Sequence, residues 1–184
     1  MLTLADLAVP AIKEQPQAGR DRFLDDLERV IEADRPVVTL SRFVLLTFLR
    51  QRLRAGAGQP IRTEFRKVAQ VSADARLVLS LVASGSGAGI GRAYQRGAEL
   101  LGLDPAGPLG RERLDARRIR EALERLRHLA PLEKPKIVKA CFEAISADGV
   151  LRVAEAELVR LVAASLDCPV PAALSAVDPE ALAA

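Results

Sequence analysis

The feature that most limits what this chain can become is the spacing of its apolar residues. They recur three and four positions apart along most of the 184 residues, and no stretch alternates apolar with polar as a half-buried strand does. Phe23, Leu24, Leu27, Val30 and Ile31 paint one face of a helix running to about Ala33. A second helix is predicted from near Leu40 to about Arg54. Phe43, Leu46, Leu49 and Leu53 share one side of it while Val44, Leu45 and Phe48 fill the flanks, so this helix should be central. Gly56, Gly58 and Pro60 then break the pattern, and a short helix is expected over about Thr63 to Gln70. Ser72 is a predicted N-cap for a helix carrying Leu77, Val78, Leu81 and Val82. After a glycine-rich bend, Ala93, Leu100 and Leu101 mark a helix ending near Gly102, and the stretch 104–110 reads as a turn or linker.

From Asp115 to His128 the pattern turns Ile119, Leu123 and Leu126 inward. The other side carries Arg117 with Glu121, Arg120 with Glu124 and Glu121 with Arg125, four residues apart, as on a solvated face. Pro131 can open a helix with Ile137, Val138, Cys141, Phe142 and Ile145 that stops at Asp148-Gly149, where glycine suits a left-handed terminus. The last helix holds Leu158, Leu161, Val162 and Leu166. The fold class is therefore all-α, a bundle of about seven to eight helices, with residues 1–170 as one domain and 171–184 as a fraying tail rich in Pro and Ala.

Composition narrows the chemistry. With 49% hydrophobic and 28% charged residues of mixed sign, the chain can offset the entropy of folding. One histidine, His128, and two cysteines, Cys141 and Cys168, at no ligand spacing leave no basis for a zinc enzyme, and His128 sits in an arginine-rich stretch read as an exposed helix face. Two cysteines make no disulfide framework, which fits a reducing compartment. A net charge of +3, no Trp and a single tyrosine, Tyr94, argue against nucleic acid. The first residues lack a basic segment followed by a continuous apolar one, and no apolar run approaches the roughly 20 residues that span a bilayer, so a soluble chain is expected.

The chain echoes itself. Placing Ala33-Asp34 over Ala147-Asp148 puts Phe23 over Ile137, Leu27 over Cys141, Ile31 over Ile145 and Val37 over Leu151, which defines pseudo-repeats at about 20–54 and 131–167. The aspartates have two readings. Asp bonds neighbouring backbone groups at bends. Alternatively, Asp148, Glu155 and Glu157 supply carboxylate oxygens for calcium or magnesium, with Asp34 as the remnant of a second centre. The spacing departs from an EF-hand, because the third and fifth positions from Asp148 are Val150 and Arg152, and Ser41 stands in the first unit where Glu155 stands in the second. An acid/base role for the Glu155 and Glu157 pair fails on geometry, since residues two apart on a helix point about 200° from each other.

The glycine run 85–91 ahead of a helix invites a phosphate-binding reading. Counted from Gly85 the last position of G-x-G-x-x-G is Ile90, and counted from Gly87 it is Arg92; no Gly-Lys-Ser/Thr follows either, so the run reads as a flexible connection.

Leu129 to Pro171, LAPLEKPKIVKACFEAISADGVLRVAEAELVRLVAASLDCPVP, resembles the TerB-like helical domain at the C-terminal end of bacterial membrane-bound HtpX-like zinc metallopeptidases. The shared features are Leu-Ala-Pro-Leu, the Lys-Ala-Cys helix, Ala-Asp-Gly, Glu155 and Glu157 before Leu158, and the final Cys-Pro-x-Pro; LAVPAI at 7–12 and FLDDLERVIEADRPV at 23–37 look like the opening of the same region. The peptidase part of that family carries an H-E-x-x-H helix and transmembrane segments, neither of which is present here. The resemblance implies a non-catalytic accessory domain, cytoplasmic at the inner face of a bacterial membrane. Such a domain acts through protein contacts by docking a substrate, regulating the peptidase or self-associating. It also implies acidic residues near the Asp-Gly turn suspected of holding a divalent cation, here Asp34, Asp148, Glu155 and Glu157, and hence an alternative role as a cation-responsive sensor. Arg35-Pro36 in place of a glycine turn, and Ser41 and Ala154 in place of acids, depart from that pattern.

Overall fold

The computed structural model describes residues 2–33, 36–54, 61–103 and 107–170, and these form an all-α fold. Eight α-helices lie among them: α1 Leu2–Lys13, α2 Gln17–Ala33, α3 Pro36–Arg54, α4 Ser72–Ser84, α5 Ile90–Leu101, α6 Ala116–Arg127, α7 Lys134–Ile145 and α8 Val153–Ser165. Short 3-10 turns occupy Val68–Val71 and Arg111–Arg113, and one isolated parallel bridge joins Phe65 to Leu129. No described helix is long and apolar enough to cross a membrane. The Asp34 turn, the break at 55–60, the first part of the 104–110 linker, the tail 171–184 and the side chain of Val37 lie outside the described residues.

Two apolar clusters share α3. One, built by α1, α2 and α3, gathers Ala5, Val9, Leu24, Ile31, Phe43, Leu46, Phe48, Leu49 and Leu53. The other, built mainly by α4 to α8, takes Val44 from α3. The expectation of a central α3 holds: it packs against α1, α2, α6 and α8. The second cluster is organised by α4, which is buried without interruption from Leu77 to Ala83. Even Ser80 fits there, because its hydroxyl donates to the Arg76 carbonyl at 2.7 Å and accepts the Leu109 N–H at 3.0 Å. Helices α5 and α7 pack most extensively of all pairs, and their approach depends on Gly97. A Cβ there would lie 2.6 Å from the Ala140 carbonyl oxygen.

Several local expectations are corrected. Helix α1 was not anticipated, and it accepts Pro10 in its interior. Helix α2 begins at Gln17 rather than Phe23, and α3 begins at Pro36 rather than near Leu40. On α2 the buried stripe is Leu24 and Ile31, with Leu27 partly buried; Phe23 and Val30, seven residues apart, form a flanking stripe that is 40% and 65% exposed. The echo therefore holds at Ile31 over Ile145 and fails at Phe23 over buried Ile137. Only a 3-10 turn forms where a helix was expected over 63–70, because the Phe65 backbone pairs with His128 and Ala130 instead of with its own chain. Ser72 is the first helical residue rather than the cap, and Val71 holds the N-cap position with no side-chain bond. Helix α7 opens at Lys134, with Pro135 in its first turn, rather than at Pro131, and it ends at Ile145. Gly149 does adopt a left-handed conformation, φ +77°, but in the loop beyond the helix.

Candidate functional site

The Asp-Gly turn is built around an arginine. Asp148 accepts the Val150 N–H at 3.0 Å and Arg152 Nη1 at 2.9 Å, which holds its carboxyl below the ordinary range, the arginine bond first and the backbone N–H next. Glu155, 4% exposed in the first turn of α8, accepts the Gly87 N–H at 2.9 Å, the Arg152 N–H at 3.0 Å and Arg152 Nη1 at 3.2 Å. It therefore caps its own helix and ties the glycine-rich bend between α4 and α5 to it. The Arg152 guanidinium lies so close over Gly87 that any Cβ there would overlap it. The run 85–91 is thus a docking surface for Arg152 and Glu155, which its reading as a flexible connection did not foresee.

Of the acidic residues proposed as cation ligands, the fold brings Asp148 and Glu155 together, with Arg152 bonded to both. Glu157 faces elsewhere and pairs with Arg160 at 3.1 Å. Among the described residues no three His, Cys, Asp or Glu side chains converge as a metal-binding group. His128 is also engaged: its Nδ1 stands 2.9 Å from the Arg62 carbonyl, which can only accept, so the ring donates. Cys141 is completely buried, and desolvation pushes its thiol up to about 12.

A second site lies where sequence spacing predicted only a solvated face. On α6, Arg120, Glu124 and Arg127 fall at i, i+4 and i+7 and form one stripe, turned toward α3. Between the two helices opens a cleft of about 660 Å³ lined by Thr47, Arg50 and Gln51 of α3 and by Arg120, Glu121, Glu124, Arg125 and Arg127. Of the anticipated pairs on α6, Arg117 with Glu121 forms at 3.8 Å. Arg120 and Arg125 reach across instead: Arg120 to Glu28 of α2 at 3.5 Å, and Arg125 to Asp74 of α4 at 2.9 Å, with its guanidinium 5.0 Å from the Phe65 ring centre. Arg127 donates through Nε to Asp167 at 2.9 Å.

At the cleft wall Arg50 grips Glu28 with both terminal nitrogens, at 2.6 and 3.4 Å, which lowers the Glu28 pKa. Beside it Gln51 is 5% exposed, and its amide Nε2 has no hydrogen-bond partner among the described residues. A buried donor left unmade costs about 1–3 kcal/mol, so this amide nitrogen, closed off from solvent, is a local cost to stability. Sequence reading missed this site because Gln51 and Arg50 are ordinary polar residues of a helix until α6 is laid across them. The signal that could have found it was the three-residue stripe on α6.

The fold and site together define an all-α helical domain with a buried acidic anchor at one turn and an arginine-lined interhelical cleft. No known family model matches the chain, and no curated protein or solved structure matches it significantly.

Proposed function

We propose that the chain is a non-catalytic helical accessory module that works through protein contacts, and that it serves a membrane zinc metallopeptidase of the kind whose C-terminal TerB-like domain its sequence resembles. The observation that carries this reading is α1. Its inner side contributes Ala5 and Val9 to the core, while Leu4 and Leu7, one turn apart on the other side, are each 73% exposed. A helix apolar on two sides has one side left for another protein. The engaged His128 and the buried, unreactive Cys141 support a role without nucleophilic catalysis. The alternative, a divalent-cation sensor at Asp148, Glu155 and Glu157, is the weaker reading because Arg152 already supplies the positive charge there.

The test is crosslinking in cells of the source organism, with a photoreactive residue at Leu4 or Leu7 and a control at Glu99, an exposed residue of α5. The expected product is an adduct from α1 alone whose second component carries an H-E-x-x-H zinc helix. Adducts with equal yield from α1 and Glu99, or none, would overturn the proposal.

A further inference from the structure

We infer that the turn ahead of α7 is a docking surface for an anionic lipid bilayer, with Leu132 as its apolar tip and a collar of basic side chains around it. The inference does not rest on the peptidase reading; it stands on the exposure and the charge of this turn. Leu132 is 88% exposed, the highest value for any large apolar side chain among the described residues. One exposed leucine is ordinary on a protein surface. This one is held out by a pinned turn: the Ala130 N–H donates to the Phe65 carbonyl at 2.8 Å, and the Ala130 carbonyl accepts the Glu133 N–H at 2.9 Å. Pro131 and Leu132 therefore face solvent while Glu133 turns inward.

Glu133 gathers the collar. Its side chain is 10% exposed, its Oε2 accepts the Val68 N–H at 3.1 Å, and its Oε1 draws in Lys136 of α7 and stands 3.8 Å from Lys67. Both lysines keep most of their length in solvent. Arg66, which follows the residue bonded to Ala130, and Lys139, one turn beyond Lys136, are exposed and form no ion pair among the described residues. Four cations thus surround one carboxylate, and Glu64 at the edge of this surface is offset in charge by the exposed Arg62. A real positive excess remains beside the apolar tip.

Two features choose a bilayer over an acidic protein segment. The apolar element is a single protruding side chain flanked by charge, which a fluid interface can close around, whereas a peptide is gripped along a groove. Three of the four cations are lysines, hydrated point charges on flexible stems that suit the diffuse negative charge of lipid headgroups rather than one fixed carboxylate.

Sedimentation of the full chain with vesicles tests the inference, using phosphatidylcholine alone and equal parts of phosphatidylcholine and phosphatidylglycerol. Binding to the mixed vesicles only, weakened by salt, is expected. Arg66→Gln combined with Lys139→Gln alters two exposed side chains and should weaken it about 25-fold, because each basic residue at an anionic surface contributes about fivefold. The chain has no tryptophan, so Leu132→Trp places a single reporter at the tip. Its emission should shift to the blue with the mixed vesicles, and that of Val30→Trp, on exposed α2 surface, should not. No sedimentation with mixed vesicles at low salt, undiminished binding by the double variant, or equal shifts from the two tryptophans overturns the inference. A shift of Leu132→Trp with polyglutamate but not with vesicles would assign the turn to an acidic protein and overturn it too. Purified lipids contain no peptidase, so these results and the crosslinking from α1 are read independently.

Discussion

Replacing Glu155 tests whether a buried carboxylate organises the turn or merely decorates an ion pair. In Glu155→Ala two backbone donors, Gly87 N–H and Arg152 N–H, lose their acceptor, and Arg152 loses one of its two carboxylates. Hydrogen bonds to a charged group contribute about 1.5–3 kcal/mol each, and water can reach part of the vacated site, so the expected loss is about 3 kcal/mol. Glu155→Gln retains one acceptor oxygen but turns an NH2 toward the remaining donors, and should lose about half as much. The informative control is Arg152→Gln. Its side chain is 46% exposed, so solvent screens its two ion pairs and removing them should cost far less than Glu155→Ala. Urea unfolding followed by far-UV circular dichroism gives the three values, and hydrogen exchange at the Gly87 amide gives the local one. If Glu155→Ala costs no more than Arg152→Gln, the carboxylate is not the anchor and the reasoning fails. If added calcium or magnesium raises the thermal midpoint of the unaltered chain but not of Glu155→Gln, the turn is a cation site and Arg152 must move aside to admit the ion.

Three further outcomes follow from the packing and the charges. Glu28, Glu133 and Asp148 all have lowered pKa values, through Arg50, through Lys136 and then the Val68 N–H, and through Arg152 and then the Val150 N–H. Because their folded values lie below the ordinary 4.5 of Glu and 3.8 of Asp, the stability they contribute is complete above those values and is lost as pH falls through the lowered ones. The unfolding free energy should therefore be flat above pH ~5.5 and fall below ~4.5, and a decline beginning near neutrality would contradict this. Gly97→Ala gains about 1 kcal/mol of helix propensity but forces a methyl against the Ala140 carbonyl oxygen, 2.6 Å away, and Leu79. A net loss of about 1–2 kcal/mol is expected by denaturant titration, and a more stable variant would show that α5 and α7 are not in close contact. In a Cys168→Ser background, Cys141 should resist a thiol-reactive chromogen at pH ~8 until urea is added, since the thiolate that reacts is suppressed by burial.

What could be read from the sequence was what depends on neighbours along the chain. The 3.6-residue period of Leu123, Leu126 and Ile119, or of Leu158, Leu161 and Val162, requires a helix with that side inward whatever it packs on, and those residues are buried. So were the all-α class, the central place of α3 and the left-handed glycine at Gly149. The period could not distinguish which of two apolar stripes on α2 is covered, because Phe23 and Val30 are as apolar as Leu24 and Ile31 and only the position of α3 decides between them.

Charges were the least legible, because a charged side chain is long enough to choose between a neighbour on its own helix and one on another. Arg120 and Arg125 have glutamates four residues away on α6, yet Arg120 approaches Glu28 and Arg125 bonds Asp74, which are 92 and 51 positions distant along the chain. Asp148 and Glu155 looked like free oxygen ligands until the bend at Gly87 came against them and Arg152 filled the gap. By itself the sequence determined the helical class and most of the helical segments with their apolar sides, since both follow from local backbone geometry and the hydrophobic effect, but not α1 or the stretch 63–70, where Phe65 pairs with the chain around His128. Only the tertiary structure decided which donors and acceptors meet, because the energy of a buried polar group depends on the partner it finds, and that partner is set by how the helices pack.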